Sequence, residues 1–265
     1  MYNIIKSINY TAKRDLLMVF TIIISIMLPM TILLLSIQLG DVNFSDVTGS
    51  YIFVAKMGEN YILYTFVIMI LTCKAAMGDG GDKTINYEIL RGHSRFSIFA
   101  ARAVSGIFYG AIITIIIFVF PYIFFGLING WGQEVKMSDA LLRIAISIVP
   151  TIRVSCMFLF LSFLFSSSGK AMALGYVLLD GSVMLTSMID EFTDMNIDNF
   201  FGASSAMKLY LLENMKEIVV DGEVVNKYVT EVPGDVITKT LIISGIMIIV
   251  YLVAAYLIFA KRDKE

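Results

Sequence analysis

Long apolar runs separated by short polar stretches dominate the chain, with little of the strict alternation that marks a half-buried strand. Runs near 17–38, 61–77, 99–129, 140–165, 171–189 and 238–260 each approach the roughly 20 residues a helix needs to cross a hydrocarbon core. Helices are the expected form, because an open strand edge leaves backbone groups unsatisfied in lipid. The pattern predicts an all-α membrane protein with six transmembrane helices in a single domain over 1–265. The second run is short by apolar count and can begin as early as Tyr51. The third is longer than a bilayer requires, so it either continues beyond it as an ordinary helix or bends near Pro121.

Three polar stretches have their own patterns. In 1–16, Ile4, Ile5, Ile8, Ala12 and Leu16 fall within about 120° of one helical face at roughly 100° per residue, with Lys6 and Lys13 opposite. This predicts an amphipathic helix lying in the membrane interface. No Ala-x-Ala cleavage site follows the first apolar run, which reads as an uncleaved anchor. In 78–98, Gly78, Gly80 and Gly81 break the preceding helix, and a short helix over 83–91 places Ile85 and Ile89 at i, i+4. Gly92 is its expected stop and Ser94 the N-cap of the next helix. So short a helix is unstable alone in water, so its apolar residues need a surface, either in their own bundle or on a partner. The third stretch, 190–237, exceeds a connector. Within it 203–217 has helical character, and Glu217 to Val225 around Asp221-Gly222 reads as a hairpin in a small extracellular insert.

Composition narrows the class further. Hydrophobic residues make up 58% and charged residues 16% of the chain, and the mean hydropathy of +0.81 exceeds what a water-soluble domain needs for its core. Lys6, Lys13, Arg14, Lys83, Arg91, Arg95, Arg102, Lys170, Lys261, Arg262 and Lys264 all fall at one face of a six-span topology. The positive-inside bias then puts both termini in the cytoplasm of a multi-pass plasma-membrane protein. Acidic residues gather between Asp190 and Asp235 and account for the net charge of -2. The lipid bilayer is the expected surrounding, and no nucleic-acid partner is expected.

Catalytic chemistry finds little support. His93 is the only histidine, so a membrane-embedded Ser/His dyad has no base and a multi-histidine metal site is excluded. Cys73 and Cys156 lie within apolar runs and read as packing residues. A phosphate-binding loop needs Gly-x-x-x-x-Gly-Lys and a hydroxyl. The nearest string, Ser166-Ser167-Ser168-Gly169-Lys170-Ala171, lacks the first glycine and the hydroxyl. No catalytic, cofactor or metal site is therefore expected, and the chain is not expected to be an enzyme. Charges inside spans are costly and draw attention. Lys74 and Arg143 sit near span ends and are expected to snorkel. Arg153 and Asp180, roughly 13 and 10 residues from the turn at 166–170, sit at similar depth on antiparallel neighbours, within about 5 Å along the axis. They are expected to form an ion pair that either bridges the fourth and fifth helices or lines a translocation path.

One stretch carries a family likeness. Gly81-Asp82-Lys83-Thr84-Ile85, then Leu90-Arg91-Gly92-His93-Ser94-Arg95, then Arg102, resembles the loop between the second and third helices of permeases of ATP-binding-cassette (ABC) exporters of the second bacterial type. The amphipathic start, six spans and cytoplasmic termini are similar too. About 25 residues carry the motif, and it departs from the family pattern where Gly81 replaces the usual Glu and Lys83 the usual Gly. The resemblance implies a coupling helix docking into a separate cytoplasmic ABC ATPase, through Asp82, Lys83, Ile85, Tyr87, Ile89, Arg91, Ser94 and Arg95, with ATP bound by that partner. It further implies pairing with a second permease copy or paralogue and export of a peptide, lipid or drug-like substrate, including antimicrobial peptide export or immunity. The competing expectation is an ATP-independent secondary transporter or a membrane scaffold.

Overall fold

The computed structural model describes residues 1–40, 43–53, 58–78, 82–132, 135–193, 215–220, 223–228 and 234–261. Over these residues the chain is helical apart from one hairpin. Helix α1 (Tyr2–Ala12) leads through a tight turn into α2 (Leu16–Gln38), which opens where the Asp15 carboxylate accepts from Met18 N at 3.1 Å. This N-cap supplies one of the hydrogen bonds that the first turn of a helix cannot make internally. The short α3 (Gly49–Ile52) precedes α4 (Gly58–Met77) and α5 (Asp82–Leu90). From Arg95 the chain stays helical to Ile128, as α6 (Arg95–Ile107), a π-helical segment (Phe108–Ile113) and α7 (Thr114–Ile128). Helices α8 (Met137–Phe165), α9 (Ser168–Thr193) and α10 (Gly234–Lys261) complete the bundle.

Four of these elements are long and apolar enough to cross a membrane: Leu16–Leu35, Arg95–Ile128, Met137–Phe165 and Gly234–Lys261. The apolar part of α4, Leu63–Met77, is shorter than a full span. The over-long third run is thus one continuous rod that holds Pro121 within it. Between β1 (Met215–Val220) and β2 (Glu223–Tyr228) the antiparallel register pairs Val220 with Glu223. Two residues remain for the turn, as the Asp-Gly pair predicts. That turn, most of the helix expected over 203–217 and most of the 190–237 insert lie outside the described residues.

Helix α8 is the centre, packed against α4, α6, α9 and α10. It carries a row of polar side chains at i, i+4 spacing, Asp139, Arg143, Ser147, Thr151 and Ser155, all buried. Such a row follows an i±4 ridge of the helix surface, the ridge that packs into neighbouring grooves. Exposed positions of α2 and α10 are instead large and apolar, among them Phe20, Ile24, Ile246 and Ile249. That is the inverse of a water-soluble helix, whose exposed face is polar.

Two charges within the apolar runs find carboxylates. Lys74 meets Asp15 at 3.2 Å, with both side chains mostly buried, so the N-cap of α2 is also an ion-pair partner for α4. Arg143 is likewise turned inward, donating from Nε to Asp139 one helical turn earlier at 2.7 Å. Each cation has a carboxylate within reach in the bundle, which offsets part of the cost of burying it.

Candidate functional site: the short helix α5 and its seat

Positions 85, 88 and 89 share one face of α5, and that face is bound into the bundle. Ile85 is 5% exposed in an apolar cluster with Ile4 of α1, Ile98 and Phe99 of α6 and Phe259 of α10, and Ile89 packs half-buried against it. Glu88 forms a forked pair with Arg102 of α6: Nη2 donates to Oε1 at 3.0 Å and Nε to Oε2 at 3.2 Å. The same guanidinium donates from Nη1 to the Ala76 carbonyl at 2.6 Å, near the end of α4. One buried arginine therefore ties α4, α5 and α6 together. A planar fork suits this role better than a lysine ammonium would.

The exit from α5 is as defined as its seat. Gly92 adopts φ +84 and donates to Ile89 O at 2.9 Å, and Ser94 then caps α6 by accepting from Ser97 N at 3.2 Å. Arg95 reaches across to donate to the Ala260 carbonyl at the end of α10, where orphan carbonyls and the helix dipole both favour a cation. The opposite face of α5 is left open. Tyr87 is 67% and Leu90 81% exposed, beside exposed Asn86 and Arg91, and Phe96 at the start of α6 is 63% exposed.

Next to α5 lies a cleft of about 250 Å³ roofed by α1, whose walls include Ser7, Thr11, Asp15, Lys74, Glu88 and Arg102. Both ion pairs, Asp15 with Lys74 and Glu88 with Arg102, border it, so its charges are balanced. The amphipathic face of α1 is spent here. Ile4 and Ala12 are buried and Ile5 and Ile8 pack against the apolar cluster, whereas Leu16 is exposed because it already belongs to α2.

Of the docking residues expected from sequence, Tyr87 and Arg91 face outward, Ser94 is a cap and Arg95 is an internal clasp. Ile85 is committed to its own core rather than offered to a partner, and Ile89 mostly so. The side chains of Asp82 and Lys83 lie outside the described residues. The Arg153 and Asp180 pairing also involves a side chain outside them. Arg153 itself is 1% exposed on α8, with Tyr251 of α10 close enough to interact electrostatically. Sequence reasoning passed over Glu88 and Leu90. The signal for Glu88 was present, a lone carboxylate on the apolar face of a short helix, but its partner Arg102 is fourteen residues away across a turn.

The bundle defines a class: four candidate membrane-spanning helices suggest a multi-pass membrane protein. Comparison with family models, with characterised proteins and with solved structures finds no match.

Proposed function

We propose that this chain is the membrane-spanning permease subunit of an ATP-driven exporter, with α4 and α9 completing six spans and both termini in the cytoplasm. The observation that carries the reading is the construction of α5. A nine-residue helix between two apolar helices is held firmly by Ile85 and the Glu88–Arg102 fork, yet presents Tyr87 and Leu90 to the outside. A helix with only structural duty would have no reason to expose its largest apolar side chains in water, whereas a helix entering a groove on a partner needs such anchors. The partner in this reading is a separate ABC ATPase, as the likeness of the 81–102 stretch implies, and a second permease copy or paralogue completes the complex. ATP binding would move the membrane halves only by what they feel through differential contacts at α5. A peptide, lipid or drug-like molecule is the proposed cargo.

Co-purification with a co-expressed ABC ATPase tests the docking. Leu90→Asp and Tyr87→Asp should each weaken capture by tenfold or more, about 1.4 kcal/mol, while leaving elution of the permease unchanged. Undiminished, stoichiometric capture by both folded variants would defeat the assignment. Ile85→Asp is a poor probe, since it strikes the core first.

A further inference from the structure

The continuous rod Arg95–Ile128 is gripped at both ends by other parts of the chain. At its start, Arg102 holds Glu88 of α5 and Arg95 holds the last turn of α10. At its far end, Asn129 donates from Nδ2 to the Phe44 and Val47 carbonyls at 2.6 and 3.0 Å. Two backbone bonds, Gly49 N to Gly130 O at 3.0 Å and Ser50 N to Trp131 O at 2.8 Å, tie the 43–53 strap to the same turn. Trp131 closes this end by packing against Gly126, where a Cβ would stand 2.5 Å from its ring.

Midway along the rod is the π-helical Phe108–Ile113. A π turn holds one residue more than the α turn it interrupts, and such turns are rare and cluster at functional positions. Closing the π turn to an ordinary α turn re-registers everything beyond it by about 100°, the rotation per residue of an α-helix. The neighbours of this segment are packed for close approach. A Cβ at Gly110 would overlap Thr72 Oγ1 of α4 and stand 2.9 Å from Ser155 Oγ of α8, and one at Gly106, a turn earlier, would stand 3.0 Å from Leu159 Cδ1. Glycines at i, i+4 are how helices come together in lipid. Around the segment, the hydroxyls of Thr72, Ser105, Thr114 and Ser155 belong to residues at least 98% buried and have no protein hydrogen-bond partner among the described residues. In lipid, hydroxyls of this kind re-satisfy the backbone groups that leave the α ladder at a broken turn.

We propose that the π segment is an adjustable joint, through which the Arg95–Ile128 rod couples the position of α5 to the strap at the opposite end of the bundle. Thr72 and Ser155 serve the joint by receiving the backbone groups that its movement releases. The coupling belongs to this chain alone and holds whatever partner presses on α5, so it can be tested without any ATPase.

Hydrogen exchange of the full chain in lipid nanodiscs, read by mass spectrometry, decides it. Glu88→Gln should speed exchange at the Gly49 and Ser50 amides several-fold more than at the amides of 159–163 in α8. Because coupling is reciprocal, Asn129→Ala should speed the Gly92 and His93 amides in return. Adding Thr72→Val and Ser155→Ala should leave the fold at least as stable yet reduce both cross-effects. Loosening confined to the substituted end would overturn the coupling, and a uniform rise that includes α8 would reduce it to general destabilisation. Cross-effects untouched by removal of the two hydroxyls would overturn the joint.

Discussion

Glu88 shows how much one carboxylate can organise. Its partner Arg102 is 3% exposed, and a buried arginine that loses its counter-charge keeps the desolvation cost without the compensation. Glu88→Gln should therefore cost about 3 kcal/mol, the low end for a broken buried pair because Glu88 retains some exposure. Adding Arg102→Met should cost less than the sum of the two single changes, since the orphaned charge is then gone. Denaturant unfolding in detergent micelles measures all three, and strictly additive costs would show that the fork contributes nothing. Asp15 has a similar double duty, capping α2 with one oxygen and meeting Lys74 with the other. Neither role is visible from its neighbours in sequence, because the lysine arrives from α4.

Among elements, the π-containing rod and α10 make a useful contrast. Gly110 sits where a methyl group would collide with Thr72 and Ser155, whereas a methyl group at Gly245 in α10 would meet no atom within 4 Å. Alanine is the better helix former by about 1 kcal/mol, so Gly245→Ala should hold or raise the melting temperature. Gly110→Ala should lower it, since overpacking a tight seam costs about 1–3 kcal/mol and outweighs the gain in propensity. Equal shifts in the two variants would mean that the close approach at Gly110 is not felt. The short helix α5 was legible as an element, with the expected 83–91 meeting the observed Asp82–Leu90. Its orientation was not, because Ile85 and Ile89 mark an apolar face without saying whose surface it meets.

For the molecule as a whole, the proposed six-span topology makes a sidedness prediction. Cysteines introduced at Arg91 and Lys261 should react with a membrane-impermeant maleimide from the cytoplasmic side, and one at Ser45 from the opposite side. The native Cys73 and Cys156 are buried and should stay silent. Labelling of Arg91→Cys and Ser45→Cys from the same side would break the topology and remove α5 from reach of any cytoplasmic ATPase. The four candidate spans alone leave the crossing of α4 and α9 to this experiment.

Hydrophobic periodicity and turn chemistry by themselves determined the long apolar helices, the stop at Gly92, the cap at Ser94 and the hairpin register around Asp221-Gly222. These are local properties, set within a turn or two by burial preference, φ and side-chain reach. Only the tertiary structure decided which charges are paired: Lys74 with Asp15, Arg143 with Asp139 and Arg102 with Glu88. It also decided that Ile85 faces inward while Tyr87 and Leu90 face out, and that hydroxyls from different helices converge on the π segment. Such partnerships depend on how helices distant in sequence come to lie side by side, and a helix carries the same periodicity whichever neighbour it meets.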